Sequence, residues 1–228
     1  MQKIIARRIY DSRGKPTIET KVSVDGREIT AAVPSGASTG KREALELRDG
    51  GTALLGLDVG KAIANIETKI LPAIAGLDVS EQRKIDEKMI ALDGTDNKKN
   101  LGANAMLAVS LIAAKAAAAE KQIPLYRWIG ELFGEKNPAL LPVPLMNVIN
   151  GGAHAKNGLD FQEFMIVPVG AKTFEEAMQM GVETYLNLGK IVHASGVGDE
   201  GGYSPHVFKA ETGTERVREA LELLVSGI

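Results

Sequence analysis

Three short segments hold the side chains of this chain that are best suited to chemistry. Residues 147–154 end a predicted strand in a Gly-Gly turn that contains His154, the next strand carries Gln162 and Glu163, and residues 198–202 place Glu200 in a cluster of glycines. Glycines let the backbone come close to a ligand. Carboxyl and imidazole groups serve as general acids, general bases and metal ligands. These segments are therefore candidates for an acid–base or metal site.

Each acidic candidate also has a purely structural interpretation. Phe161, Glu163 and Met165 lie on one face of the predicted strand, so Glu163 is expected among apolar neighbours, where a carboxylate needs a partner or a metal. A structural ion pair explains such a residue as well as a catalytic role does. A solvated turn likewise explains Glu200. The residues alone leave both alternatives open.

The loop at residues 33–41 combines glycines and hydroxyls with a lysine, as phosphate-binding loops do. Only three residues separate Gly36 from Gly40, and Arg42 follows Lys41, whereas a P-loop needs four residues between its glycines and Ser or Thr after the lysine. The spacing excludes that motif. What remains is a hydroxyl-bearing loop in which Ser38 can offer oxygen to Mg²⁺, or an ordinary turn.

Composition excludes several classes of protein. The 228 residues carry a formal net charge of −2. The chain therefore lacks the excess of basic residues that is typical of nucleic-acid-binding proteins. The absence of cysteine excludes disulfides and thiolate metal sites and suits a reducing cytoplasm, the expected location, with additional display at the cell surface left open. The most apolar stretch, residues 103–119, is Ala-rich, contains Lys115 and falls short of the roughly 20 apolar residues of a bilayer span. It predicts a buried helix of a soluble domain.

The first part of the chain predicts an antiparallel meander followed by helices. Strands are expected at residues 3–10, 17–24 and 27–33, and Asp25-Gly26 is a strong hairpin signal between the last two. Ile63, Ile66 and Ile70 have helical spacing. Ser80 is the expected N-cap of the next helix, and a third helix covers residues 103–122.

A second domain is predicted from about residue 138, because Pro142-Val143-Pro144 makes a plausible boundary. Strands are expected at residues 145–149 and 161–167, and helices at 174–192 and 214–225, the last with Thr214 as N-cap. Two strands and two helices cannot cover both faces of a sheet. We therefore expect this domain to be incomplete within the 228 residues.

Taken together, the motifs resemble those of the enolase family, in the order in which enolases carry them. The matching segments include Asp-Ser-Arg-Gly-Lys-Pro-Thr and Gln-Glu-Phe-Met, and they lie at residues 11–17, 33–40, 43–49, 92–95, 147–154, 162–165 and 198–202. The resemblance covers nearly the whole chain. It implies an α+β N-terminal cap domain of antiparallel meander plus helices at residues 1–137. Residues 138–228 then form the start of an enolase-type α/β (TIM-like) barrel in the order ββαα, with an antiparallel second strand.

The resemblance also implies roles for individual residues in the reversible dehydration of 2-phosphoglycerate to phosphoenolpyruvate. Glu200 is the acid that helps the hydroxyl depart, Glu163 and Gln162 assist it, and His154 contacts the substrate. Ser38 binds the second of two Mg²⁺ ions. It lies in a lid loop formed by Gly36, Ala37, Ser38 and Thr39.

Further implications concern what the chain lacks and what it assembles with. In the family, the lysine base, three carboxylates of the tighter Mg²⁺ site and the phosphate-holding arginine and serine belong to segments beyond Ile228. We therefore expect the chain alone to be inactive. Arg13 and Glu183 occupy positions that pair across the family's dimer interface, which implies a homodimer or a larger ring.

Two other functions remain open at this stage. The chain can be a catalytically incomplete fragment that acts as a binding module or as half of a split enzyme, or a dehydratase of another acid substrate. It also departs from the family pattern. The stretch between Asn187 and Gly198 is short, and Tyr203-Ser204 replaces the more usual Phe-Ala.

Overall fold

The computed structural model describes residues 4–36, 39–192, 196–205 and 212–228. The chain divides into two compact units, Met1–Ala139 and Leu140–Ile228. The described part of the first unit contains a three-stranded sheet and helices, and that of the second contains two paired strands and two long helices.

The sheet of the first unit is the predicted antiparallel meander. Its strands, in the order β1-β2-β3, are β1 (Ile5–Tyr10), β2 (Pro16–Val24) and β3 (Arg27–Ala32). Asp25 and Gly26 join β2 to β3 with φ of 48° and 76°. Two successive positive φ angles characterise the tight turn that suits a twisted hairpin, so the prediction from Asp25-Gly26 is confirmed.

Helices cover one face of this sheet. They are α1 (Gly60–Asn65), which continues through a π-helical turn (Ile66–Ile70) into α2 (Leu71–Ala73), then α3 (Gln82–Asp93), α4 (Ala103–Glu120) and α5 (Leu125–Phe133). Helix α4 packs against β2 and β3, and Thr20 of β2 donates a hydrogen bond from Oγ1 to the carbonyl of Ala108 at 3.0 Å. The alanines of α4 permit this close approach of helix and sheet.

By length and composition, α4 is the one helix among the described residues that could cross a membrane. More than half of it is buried against the rest of its unit, however, and the core helix of a soluble protein has the same composition.

Two details of the first unit differ from the sequence-based expectations. Ser80 is not the N-cap of α3: the cap residue is Glu81, and the Ser80 hydroxyl donates instead to Oδ1 of Asp78 at 2.5 Å. Helix α5 was not expected. It follows Pro124 and ends at Gly134, whose φ of 73° gives the left-handed C-terminal geometry that favours glycine.

The second unit has the predicted ββαα order. Its elements are β4 (Met146–Asn150), a 3₁₀ turn (Gly152–His154), β5 (Glu163–Ile166), α6 (Phe174–Ile191) and α7 (Gly213–Gly227). Strands β4 and β5 pair antiparallel, as the resemblance implied. The strand predicted at residues 161–167 is shorter in the structure, where β5 spans only Glu163–Ile166 and Phe161 lies outside it.

The N-cap of α7 is Thr212 rather than Thr214. The Thr212 hydroxyl accepts a hydrogen bond from the backbone N–H of Glu215 at 3.3 Å and donates to the Glu215 carboxylate at 2.8 Å. This pair resembles a capping box, but the glutamate side chain accepts from the Thr212 hydroxyl rather than from the Thr212 backbone N–H. This arrangement requires a cap three residues before a glutamate, a spacing that Thr212 has and Thr214 lacks.

A third extended segment lies beside β4. Tyr203 forms a parallel bridge with Ile149 and an antiparallel bridge with Val197. Val148, Ile149, Phe164 and Leu188 form the centre of a small apolar core beneath these strands. The described residues contain the beginning of a barrel-like sheet and no closed barrel.

Candidate functional site

The end of β4 leads directly into the turn that holds His154. Residues 148–150 are buried, and the chain then turns through Gly151 and the 3₁₀ turn, so that the His154 side chain is only 3% exposed. The backbone carbonyl of His154 accepts a hydrogen bond from the N–H of Asp199 at 3.1 Å. His154 is thus fixed between β4 and the residue that precedes Glu200.

The two glycines before this turn are required by their surroundings. A Cβ on Gly151 would lie 2.4 Å from the carbonyl oxygen of Phe161. Gly152 has a φ of 53°, and a Cβ there would lie 2.6 Å from Cγ of Gln162. Lack of space at both positions, and backbone strain at Gly152, therefore disfavour larger residues. The Gly-Gly pair allows the turn to lie directly against the start of β5.

Strand pairing brings Glu163 to the same end of β4. Glu163 faces Asn150 in the β4–β5 register, and Gln162 immediately precedes it. The expectation that Glu163 is buried among apolar neighbours is wrong: Glu163 is only half-buried, Met165 on its face is exposed, and Phe164 on the opposite face enters the core. The core lies against the opposite face of β5, the face that carries Phe164. Phe161 lies outside the strand and is itself exposed.

Glu200 lies at the tip of a narrow turn. The N–H of Gly198 donates to the carbonyl of Gly202 at 2.8 Å, and the N–H of Gly201 donates to the carbonyl of Gly198 at 3.1 Å. Asn147 of β4 donates a hydrogen bond from its side-chain amide to Oε2 of Glu200 at 3.0 Å. The Glu200 side chain is 40% exposed, so it is held from one side and open to solvent on another.

The glycines of this turn make room for a buried side chain of β4. Asn150 is fully buried, and a Cβ on Gly198 would lie 2.5 Å from its Oδ1. A Cβ on Gly202 would lie 3.0 Å from backbone atoms of Val148 and Ile149 and 3.1 Å from Cγ of Asn150. Neither polar atom of the Asn150 amide has a hydrogen-bond partner in the described part of the chain. The sequence suggested that these glycines admit a ligand, whereas in the structure Gly198 and Gly202 admit Asn150.

The three segments bring His154, Glu163 and Glu200 together. One donor atom from each lies within 4.8 Å of the other two. Nδ1 of His154 is 3.6 Å from Oε2 of Glu200, close enough for electrostatic attraction but too long for a hydrogen bond. On the other side of the ring, Nε2 lies 3.5 Å from the amide nitrogen of Gln162. If Nε2 accepts from that amide, the imidazole proton sits on Nδ1, facing Glu200.

We call His154, Glu163 and Glu200 the carboxylate–imidazole cluster. Two carboxyl groups beside a buried imidazole can exchange protons with a bound substrate and can hydrogen-bond its oxygens. The cluster can also hold a metal ion. Donors about 2.0–2.2 Å from a tetrahedral ion lie about 3.4 Å apart, and the Nδ1–Oε2 distance of 3.6 Å is close to that value.

The donor set of the cluster does not fit Mg²⁺. Mg²⁺ takes oxygen ligands in near-octahedral geometry, whereas an imidazole with carboxylates suits Zn²⁺ and similar transition metals. A Mg²⁺ ion therefore requires other ligands than this cluster.

The remaining predicted residues lie in the first unit, on helix α6 or outside the described residues. Ala37 and Ser38, the centre of the predicted lid and its metal ligand, are outside the described residues. Gly36 and Thr39, on either side of them, are exposed in the first unit. The lid therefore stays a prediction.

The two predicted interface residues have partners within the chain. Arg13 donates to the backbone carbonyls of Ser35 at 2.7 Å and Gly36 at 3.2 Å. Glu183 is exposed on α6 and accepts from Gln179 at 2.8 Å. Arg13 thus has one role that the sequence did not suggest, at the stem of the predicted lid loop, and its pairing with Glu183 of a second copy stays a prediction.

Sequence reasoning missed three residues that shape the site. Asn147 contacts Glu200, and Tyr185 and Tyr203 hold the turn that carries it. The signal for Asn147 was present, since it is a polar residue within a strand and inside a matched motif. Tyr185 carried no signal, because a tyrosine in an amphipathic helix is normally a core residue.

Two models of known protein families match the chain. The model of the enolase N-terminal domain matches residues 1–129, and the model of the enolase C-terminal TIM barrel domain matches residues 138–226. Both are domains of one family of lyase-type enzymes that typically binds metal ions. The matches span almost the whole sequence, and the chain therefore belongs to the enolase family.

Proposed function

We propose that this chain supplies part of the active site for the reversible dehydration of 2-phosphoglycerate to phosphoenolpyruvate. The observation that carries the proposal is the carboxylate–imidazole cluster: His154, Glu163 and Glu200 come from three separate enolase motifs, and their donor atoms lie within 4.8 Å. Residues that were matched to the family one by one thus meet at one place.

The dehydration removes one proton and one hydroxyl group from neighbouring carbons. A base takes the proton from the carbon next to the substrate carboxylate, which leaves an ene-diolate. The hydroxyl on the adjacent carbon then leaves, and it needs a proton to depart as water while the double bond forms. In the reverse direction the same groups exchange these roles.

We assign the protonation of the departing hydroxyl to Glu200. Its position at the tip of a turn, 40% exposed and held by Asn147, suits an acid that reaches a substrate from one side. Glu163 and Gln162 assist from β5, and the His154 imidazole contacts the substrate. Because His154 is buried and its backbone is anchored to Asp199, its ring can orient the substrate without moving far.

Magnesium belongs to this proposal on the strength of the family resemblance. When bound, Mg²⁺ ions neutralise the negative charge that develops on the substrate carboxylate. From this chain Ser38 is the proposed ligand.

The 228-residue chain alone is proposed to be inactive. By the resemblance, the lysine base and the residues of the tighter Mg²⁺ site belong to family segments that residues 1–228 do not match. Glu200 without a base opposite it can protonate a leaving group but cannot start the reaction in the forward direction.

We also propose a homodimer or larger ring in the cytoplasm. Arg13 and Glu183 are the proposed pairing residues. An arginine–carboxylate pair is a common specific contact at interfaces, because its two parallel hydrogen bonds fix orientation.

The experiment compares the native protein that carries this sequence with the isolated 228-residue chain. Both are assayed for Mg²⁺-dependent dehydration of 2-phosphoglycerate, and the mass of the native protein is measured. We expect turnover by the native protein, a drop of at least about a hundredfold in its Glu200→Gln variant, and none by the isolated chain.

Two outcomes would contradict the proposal. A native protein that neither binds nor dehydrates 2-phosphoglycerate would favour a binding module or a dehydratase of another acid. Turnover by the isolated chain at an ordinary enzyme rate would overturn the proposed need for further residues. Glu222→Gln, an exposed carboxylate on α7, is the matched control and should keep full activity.

A further inference from the structure

The turn that carries Glu200 is the tip of a short hairpin. The N–H of Ser204 donates to the carbonyl of Gly196 at 3.0 Å, and Gly198 and Gly202 are joined by a second backbone bond at 2.8 Å. A hairpin of this length cannot hold its own geometry in water. The position of Glu200 therefore depends on what holds the hairpin from outside.

Strand β4 holds the base of the hairpin. The N–H of Tyr203 donates to the carbonyl of Val148 at 2.8 Å, and the N–H of Asn150 donates to the carbonyl of Tyr203 at 2.9 Å. These bonds fix the backbone at Tyr203, three residues after Glu200. These backbone bonds do not reach the tip, which β4 contacts through the Asn147 side chain on the Glu200 carboxylate.

Helix α6 reaches the tip through Tyr185. Its hydroxyl donates a hydrogen bond to the carbonyl of Gly201 at 2.9 Å, on the residue next to Glu200. Its ring stacks on the ring of Tyr203, with centroids 4.4 Å apart and planes within 13°. Gly189 is one helical turn further along α6, and a Cβ there would lie 2.2 Å from the Tyr203 hydroxyl. The surface of α6 is thus shaped to receive the hairpin.

The chemistry of Tyr185 suits a permanent donor. Burial raises the pKa of Tyr185 above its ordinary value, and the neighbouring Tyr203 raises that pKa further. The phenol therefore stays protonated, and so remains able to donate a hydrogen bond, throughout the physiological pH range.

We propose that Tyr185 is a positioning residue for Glu200, with the Tyr203 ring as its stacking platform. The inference rests on the proposed function in one respect only, namely that Glu200 is the acid. Tyr185 does not touch the carboxylate. It fixes the Gly201–Gly202 peptide, one residue beyond Glu200, and thereby the direction in which the carboxyl group faces His154.

The test removes only the hydroxyl of Tyr185. Tyr185→Phe keeps the stacked ring, so the variant is expected to fold, which circular dichroism checks. The readouts are the carboxyl ¹³C resonance of Glu200, assigned with Glu200→Gln, and amide hydrogen exchange of residues 196–205. Neither readout requires turnover, so the positioning role and the dehydration activity can fail independently.

We expect Tyr185→Phe to shift or broaden the Glu200 resonance and to speed exchange of the Gly198 and Gly201 amides about five- to tenfold. Tyr203→Phe keeps the stack and the Tyr185–Gly201 contact, and should leave the Glu200 resonance in place. Tyr126→Phe in the first unit is the control for loss of a tyrosine hydroxyl, and should change neither readout.

Two results would overturn the proposal. One is a Tyr185→Phe variant with an unchanged Glu200 resonance and unchanged exchange. The other is a Tyr203→Phe variant that disturbs the Glu200 resonance as much as Tyr185→Phe does, because the hydroxyl of Tyr203 would then hold the turn.

Discussion

Replacing Gly151 by alanine tests how tightly the turn before His154 is packed. The new Cβ would lie 2.4 Å from the carbonyl oxygen of Phe161, whereas ordinary contacts begin near 3.4 Å, so that carbonyl must retreat by about 1 Å. The neighbouring bond from the N–H of Gly151 to the carbonyl of Gln162 is 3.0 Å long. A similar displacement would break it.

The magnitude follows from these two effects. Loss of a backbone hydrogen bond costs about 1 kcal/mol, and overpacking costs about 1–3 kcal/mol, so Gly151→Ala should lower the free energy of unfolding by about 2–4 kcal/mol. The extended backbone of Gly151 adds no strain of its own, since its φ is −149°.

Urea unfolding followed by circular dichroism measures this difference, with Gly170→Ala as the matched control. A Cβ on Gly170 meets nothing within 4 Å, and its variant should unfold within about 0.5 kcal/mol of the parent chain. If Gly151→Ala is as stable as Gly170→Ala, the close contact between Gly151 and the Phe161 carbonyl is contradicted. The placement of His154 beside Glu163 then loses its support.

Two further predictions concern the first unit and the assembly. Burial raises the pKa of Asp93, but hydrogen bonds to its carboxylate from the Thr95 hydroxyl and from the backbone N–H groups of Leu101 (2.7 Å) and Thr95 (3.0 Å) outweigh burial and hold that pKa below the ordinary value of 3.8. Its stabilising effect is therefore present above pH 3.8 and lost as pH falls through the lower folded-state pKa. Asp93→Asn should lower the free energy of unfolding by about 1–3 kcal/mol at pH 7, with a difference that shrinks below pH 4 in denaturation curves; a pH-independent difference would contradict this. Arg13→Ala and Glu183→Ala should each reduce the mass measured by light scattering from that of the oligomer toward that of one chain, and an unchanged mass in both would remove the proposed interface.

Much of the fold followed from local patterns in the sequence. The turn at Asp25-Gly26 was predictable because only a few residue pairs accept two positive φ angles. Helix α4 was predictable from its length and alanine content, and the ββαα order from alternating strand and helix periodicities. These elements are set by residues close to one another in sequence.

The errors arose where contacts outside the local pattern decide the outcome. Ser80 has the right chemistry for a cap, but its hydroxyl donates a hydrogen bond to Asp78 instead. Thr214 has suitable chemistry for a cap, but the helix begins after Thr212, whose hydroxyl bonds both the backbone N–H and the carboxylate of Glu215. Glu163 was expected to be buried because its neighbours at a spacing of two are apolar. In the structure Phe164, on the other face of the strand, is buried instead.

The candidate site shows the same division. Its members were predictable from motifs, since His154, Glu163 and Glu200 each lie in a segment of fixed composition. Their supports were not, because Asn147 and Tyr185 act through contacts 53 and 16 residues away along the chain. No periodicity or spacing in the sequence encodes such pairs.

The most direct test of the central claim is a Zn²⁺ titration of the 228-residue chain by calorimetry. If the carboxylate–imidazole cluster exists, one Zn²⁺ binds per chain, and His154→Gln, Glu163→Gln and Glu200→Gln each weaken that binding at least about tenfold, while Glu222→Gln leaves it unchanged. The opposite result is binding that is the same in all three variants as in the parent chain. It would mean that these three residues do not meet at one site.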